Sequence, residues 1–171
     1  MPDVIVKYDR NTFQEVARVN VGESPHVALN PTNSEMYAAC DGTNNVLVVD
    51  RTTMQVQTTI PATGAHGTWV PPHGETFYTT NFPGTNDGGS VPGLIAIDVV
   101  NNQVLGSAPP PVDRPHNVFG TSDGSKAYVT HTNGGNIVSI YTIASPTAVP
   151  QLSGQIQVGT NPFGLTFFPG F

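Results

Sequence analysis

The chain repeats itself, and the repeat limits what it can fold into more than any other feature. Four segments open alike: "VGESPHVALNP" from Val21, "ATGAHGTWVPP" from Ala62, "VDRPHNVFGTS" from Val112 and "VGTNPFGLTFFP" from Val158. Three of them run on through a turn into a tyrosine-bearing stretch, "TNSEMYAACDG", "HGETFYTTNFPG" and "DGSKAYVTHTNGG". Each then gives an alternating apolar stretch, "NVLVVDRTT", "GLIAIDVVN" or "NIVSIYTIA", and a short last one such as "QVQTTIPA", "QVLGSAPP" or "GQIQVG". The N-terminal "DVIVKYDRNTFQEVARVNVG" matches only the last two of these four stretches. Asp9, Asp50 and Asp98 then align, as do Tyr37, Tyr78 and Tyr128. Short stretches that alternate with period two between Gly, Pro and Asn clusters read as strands. Composition agrees: 18 Gly, 16 Pro and only 11% charged residues in 171 favour strands joined by tight turns over helices.

A period of about 40 to 50 residues with four strands to the unit is the signature of a β-propeller blade, a small antiparallel sheet stacked radially around a channel. The expected fold is all-β: a β-propeller of four-stranded antiparallel blades, about three and a half of them, as a single domain over 1–171. With strands lettered A to D from the channel outward, the blades run approximately 1–22 (C and D only), 23–64, 65–113, 114–159 and 160–171 (A only). Propellers close with roughly four to eight blades. Three readings are therefore open: a piece of a longer propeller, a subunit completed by another chain, or a small self-closed ring. The first two imply further polypeptide as a partner, since an open ring leaves strand edges that pair with other chains.

The unit resembles the YVTN propeller family. "KAYVTHTNGGNIVSIYTIA" is the most similar stretch, with His131 where that family usually has Asn. "PFGLTFFP" and "PHVALNP" resemble its opening strand and "VVDRTTMQVQTTI" its closing pair, so the resemblance spans nearly the whole chain. It implies the propeller fold and an exported, periplasmic or extracellular, location. It implies no single activity, because function on such folds lives in grafted sites.

Numbered within the repeat, the histidines stop being scattered. His26, His66 and His116 take one place, the first residues of strand A after the inter-blade loop, and the fourth occurrence is Phe163. Strand A is innermost. Cys40, Asn81 and His131 take the end of strand B, which opens on the same face. This places His26, His66, His116 and His131 near the channel mouth, with Cys40 on the neighbouring strand layer. Converging imidazoles suit copper, zinc, nickel or iron, with copper favoured. Asn81, Asn117 or backbone carbonyls would then orient the rings. Cys40 is a further thiolate ligand in that reading and an inert buried thiol otherwise. The arrangement is similar to the propeller domain of nitrous-oxide reductases, where histidines of successive inner strands bind a copper cluster, and to haem d-type nitrite reductases. Only architecture and position carry this resemblance. The opposing reading is structural: a histidine after proline at a strand start caps the strand, and duplication copies residues without copying function.

The remaining features say less. His73 falls in the A–B turn, up to about 20 Å of extended chain from His66, so the two do not form a chelate. Trp69, on the strand between them, is expected to pack between blades. "NFPGTNDGGSVPG", residues 81–93, lengthens one B–C loop; Asn86 and Asp87 lie in it, and it reads as a lid or partner contact without the spacing of a calcium loop. No P-loop, dinucleotide or Gly-x-Ser-x-Gly fingerprint occurs. A net charge of −6 with six scattered Lys and Arg excludes a nucleic-acid footprint. No apolar run approaches a membrane span, and Met1-Pro2-Asp3 does not begin a signal peptide. Three functions compete: an exported module binding a transition metal in a redox system, a non-enzymatic interaction and assembly scaffold, and a lactonase-like propeller enzyme. The last ranks lowest because carboxylates are missing from the strand-A starts.

Overall fold

In the computed structural model, which describes residues 2–82, 93–133 and 135–167, the repeated stretches are antiparallel strands. β1 (Val4–Tyr8) and β2 (Glu15–Asn20) form a two-stranded sheet. β3 (Pro25–Leu29), β4 (Glu35–Cys40), β5 (Asn45–Asp50) and β6 (Gln55–Pro61) form a four-stranded one, paired in chain order. β7 (Ala65–Trp69), β8 (Thr76–Asn81), β9 (Leu94–Asp98) and β10 (Gln103–Ala108) repeat it. So do β11 (Pro115–Gly120), β12 (Lys126–His131), β13 (Ile137–Thr142) and β14 (Gln151–Gln157). The fold is all-β, about three and a half blades of a propeller, and no helix of the described residues is long and apolar enough to cross a membrane.

The aligned aspartates explain why the outer hairpins are copies. Asp9 Oδ1 accepts the N–H groups of Asn11 and Thr12, Asp50 Oδ1 those of Thr52 and Thr53, and Asp98 Oδ1 those of Val100 and Asn101. Each is an Asx turn, a short carboxylate doing the work of a backbone carbonyl. The residue four places on, Phe13, Met54 or Asn102, is left-handed in all three. The register repeats as well. Val4–Asn20, Ile5–Val19, Val6–Arg18, Lys7–Ala17 and Tyr8–Glu15 answer to Asn45–Pro61, Val46–Ile60, Leu47–Thr59, Val48–Thr58 and Val49–Val56, bulge included. β1 and β2 are therefore the outer C and D strands of a blade, and among the described residues nothing pairs with the other edge of β1.

The core is not one mass but a layer between each pair of blades. Alternate side chains of a strand leave by opposite faces, so the B and C strands feed both neighbours and are buried along nearly their whole length. Val19, Val21, Met36, Ala38, Leu47 and Val49 fill the first layer. Tyr37, Val46, Val48, Val70, Phe77 and Ile97 fill the second, with Tyr37 stacked on Phe77 at 4.7 Å. Trp69, Tyr78, Leu94, Val118, Val129 and Tyr141 fill the third, where Trp69 packs between blades as expected. Each large side chain buried this way contributes about 1.5–3 kcal/mol.

The fourth opening segment is held differently. An A strand is paired through its B strand, and among the described residues none lies beside 158–167, so no strand is assigned there. The segment is tied instead by the Phe163 carbonyl and by Phe167, whose ring lies against Phe119 and Tyr128. Asn86 and Asp87 of the long loop lie outside the described residues.

A histidine cluster at the hub

Two of the three A strands carry one residue more than the third. β3 pairs with β4 without interruption, His26 opposite Ala39. The β7–β8 register shifts between Ala65 and Thr68, and the β11–β12 register shifts between Pro115 and Val118. Such a bulge bends its strand and re-aims the side chains at it, here His66 and His116. A threonine accompanies each bulge. Thr80 Oγ1 accepts the Gly67 N–H at 2.8 Å and donates to the His116 carbonyl of the next blade at 2.6 Å. Thr130 Oγ1 likewise accepts from Asn117 N–H at 3.1 Å and donates to the Phe163 carbonyl at 3.0 Å. Their counterpart beside β3 is Ala39, which has no hydroxyl, and there the strand is regular.

The result is a row of tilted rings from four successive opening segments. The centroids of His26 and His66 are 3.8 Å apart, those of His66 and His116 4.6 Å, and those of His116 and Phe163 4.2 Å. His66 Nε2 lies 3.1 Å from His116 Nε2. The other nitrogens are engaged too: His66 Nδ1 with Asp41 Oδ2 at 2.9 Å and His116 Nδ1 with the Phe163 carbonyl at 3.1 Å. Phe82 closes the cluster, 4.8 Å from His66 and edge-on to His116 at 5.3 Å, with the Arg114 guanidinium over its ring at 5.9 Å. His66 and His116 are 8% and 5% exposed. Burial disfavours the imidazolium, so His66 is pushed down to about 4 despite the pull of Asp41. His26 and His116 move the same way for the same first reason.

His131, expected at the channel mouth with these three, is not part of the cluster. It pairs with Pro115, the residue before His116, just as Asn81 pairs with Ala65 and Cys40 with Pro25. Cross-strand partners share a face and sequence neighbours do not, so the end of strand B points away from the A-strand histidines. It meets the inter-blade loop instead. His131 Nδ1 donates to the Asp113 carbonyl at 3.1 Å and its Nε2 bonds the Ser139 hydroxyl; Asn81 Nδ2 donates to the Thr63 carbonyl at 2.7 Å. Cys40 packs against Gly22, whose backbone N–H faces the sulfur, while its own Sγ–H donates to the Ala38 carbonyl at 3.5 Å; burial pushes the thiol up. Three residues of different chemistry thus do one structural job, locking the loop that leads into their own blade. Asn117 donates to the Phe163 carbonyl at 2.9 Å rather than to a ring. His73 sits in its turn, Nδ1 accepting from Glu75 N–H, and takes no part.

Asp41 is the hub residue that reading the repeat passed over. It follows strand B, in the place taken by Phe82 and Thr132. Alternation held the signal: if Cys40 leaves by one face, the next residue leaves by the other. Among the described residues no three His, Cys, Asp or Glu side chains turn their donor atoms to one point.

No family model matches the chain, and no curated protein does. Solved structures do. A chain of Kuenenia stuttgartiensis hydrazine synthase superposes with a TM-score of 0.76 and 20% identity, over 90% of this chain and 43% of that one. The β-propeller domain of Myceliophteria thermophila Cps50 (Swd1) gives 0.70 and 13%, over 90% and 51%. A functionally unknown protein from Desulfotomaculum acetoxidans gives 0.57 and 14%, over 93% and 64%. At these identities the likeness is one of fold, and the chain spans less than two thirds of each of them. Register, blade layering and these neighbours together make the chain part of a β-propeller.

Proposed function

We propose that the chain is a module of a YVTN-type propeller, completed by further polypeptide along the free edge of β1, and that its hub binds a transition metal through A-strand histidines. The observation that carries this is the meeting of His26, His66 and His116, from three successive blades, as tilted rings in contact, two of them buried and all three shifted toward the neutral form by desolvation. Neutral imidazole is the ligand form, and among divalent first-row ions copper takes nitrogen ligands most strongly. Copper in turn suits an exported redox system, the setting that the resemblance to nitrous-oxide reductase propellers implies. The test is elemental analysis of protein prepared without an affinity tag and loaded with copper(II), then desalted. Wild type retains stoichiometric metal and the His66→Ala/His116→Ala double variant loses it; equal metal in both refutes the reading.

A second reading, an assembly scaffold, rests on a different observation. Val4 and Tyr8 on β1, and Val27 and Leu29 on β3, are exposed beside the unpaired edge of β1. Edges of this kind accept a strand from another chain. Light scattering tests it: a monomer at all concentrations, with no partner that protects the β1 amides from hydrogen exchange, counts against it.

A further inference from the structure

We infer that the metal ligands are a pair, His66 Nε2 and His116 Nε2, and that Asp41 and the Phe163 carbonyl are the positioning groups that aim them. This rests on the metal-binding reading and narrows it. Hydrogen counting at the two rings singles out the pair. An ionised carboxylate and a backbone carbonyl only accept, so a ring nitrogen facing either must carry the hydrogen, and a neutral imidazole carries only one. His66 Nδ1 faces Asp41 and His116 Nδ1 faces Phe163. Both Nε2 atoms are then bare, and they face each other at 3.1 Å. Moving either hydrogen to Nε2 does not remove the conflict; it transfers it to Asp41 or to Phe163. Two bare nitrogens at this distance repel each other, and a cation bound by both, to one side of the line that joins them, relieves the repulsion.

The separation also suits a metal ion. Two imidazole nitrogens each about 2.0–2.1 Å from a metal and 3.1 Å from each other subtend roughly 100°. That lies between the right angle of square-planar or octahedral sites and the tetrahedral angle. An Nδ1–H held by a carboxylate or a backbone carbonyl is the usual means of fixing a metal-binding histidine. The remaining histidines are differently occupied. His26 packs its ring against that of His66, while both nitrogens of His131 are engaged by Asp113 and Ser139. Phe163, at the fourth A-strand start, needs no imidazole because it serves through its carbonyl.

The experiment combines titration of the metal-free protein with copper(II) or zinc(II) alone and long-range proton–nitrogen NMR of its histidine rings before metal is added. In wild type both His66 and His116 show the hydrogen on Nδ1. His66→Gln and His116→Gln each abolish tight binding, and His26→Gln retains it. Asp41→Asn weakens binding about 10- to 100-fold and scrambles the His66 tautomer without moving the urea midpoint comparably; Asp41→Glu recovers part of the affinity. If wild type takes up no metal, and a shared proton alone occupies the pair, the metal-binding reading falls. If wild type binds metal but Asp41→Asn binds as tightly, or His26→Gln abolishes binding, the reading stands and the pair assignment is overturned.

Discussion

Replacing Gly67 with alanine gives opposite signs for two views of the hub. Gly67 is the extra residue of the β7 bulge, and its φ lies outside the left-handed region, so nothing in its backbone conformation requires glycine. Were there room for a methyl group, alanine would stabilise the protein by about 0.4–1 kcal/mol by restricting the unfolded chain. There is no room. A Cβ on Gly67 would lie 2.1 Å from the His116 carbonyl oxygen, 2.9 Å from Asn117 Cα and 2.9 Å from Thr80 Oγ1. The first contact is with the backbone of the next blade, so the third and fourth blades must part by about 1 Å to reach ordinary van der Waals separation. Overpacking of this kind costs about 1–3 kcal/mol. The two bonds of Thr80, at 2.8 and 2.6 Å, stretch with it, at about 1 kcal/mol each. The net expectation is a loss of roughly 2–4 kcal/mol. Trp69, the only tryptophan, is buried between these same blades, so its fluorescence reports the transition in urea. Gly159→Ala is the control: nothing lies within 4 Å of the added carbon, and no loss is expected. A Gly67→Ala protein as stable as wild type, with the His66–His116 ring contact intact by NMR, would show that close blade contact does not build the hub.

Acidification should destabilise the fold. His66 is held at about 4, against an ordinary value of 6.5, and His26, His116 and His131 are displaced the same way, burial being the first cause in each. The unfolded chain binds more protons than the native one between about pH 6.5 and 4, so stability rises with pH across that window and is lost on descending it. The full His66 contribution is about 3 kcal/mol, and equal urea midpoints at pH 7 and 4.5 in metal-free protein would contradict this. His131→Ala removes the bond to Asp113 and a buried partner of Ser139, at about 2–4 kcal/mol. It should leave metal content unchanged, and loss of metal in a folded variant would restore His131 as a ligand. Cys40 is fully buried with its thiol pushed up, so a thiol reagent should modify it only on unfolding; rapid labelling of native protein would be the contrary result.

The repeat by itself determined the strands, their grouping into blades and the identity of β1 and β2 as an outer pair. These follow from period-two alternation and from the recurrence of Asp9, Asp50 and Asp98, which are local properties that a sequence carries openly. It also brought His26, His66 and His116 to one structural position and sent His73 elsewhere. Tertiary structure decided which face of a strand each residue uses. His131 and Asp41 differ from that reading by a single step of alternation, because a cross-strand partner shares a face and a sequence neighbour does not. The longer spacing from His66 to Asn81 and from His116 to His131 than from His26 to Cys40 was visible as an extra residue. Its location was not, since a bulge is placed by the hydrogen bonds that satisfy it. Here those come from Thr80 and Thr130, reaching across to the next blade, and only the packed blades bring two histidine nitrogens within 3.1 Å of each other.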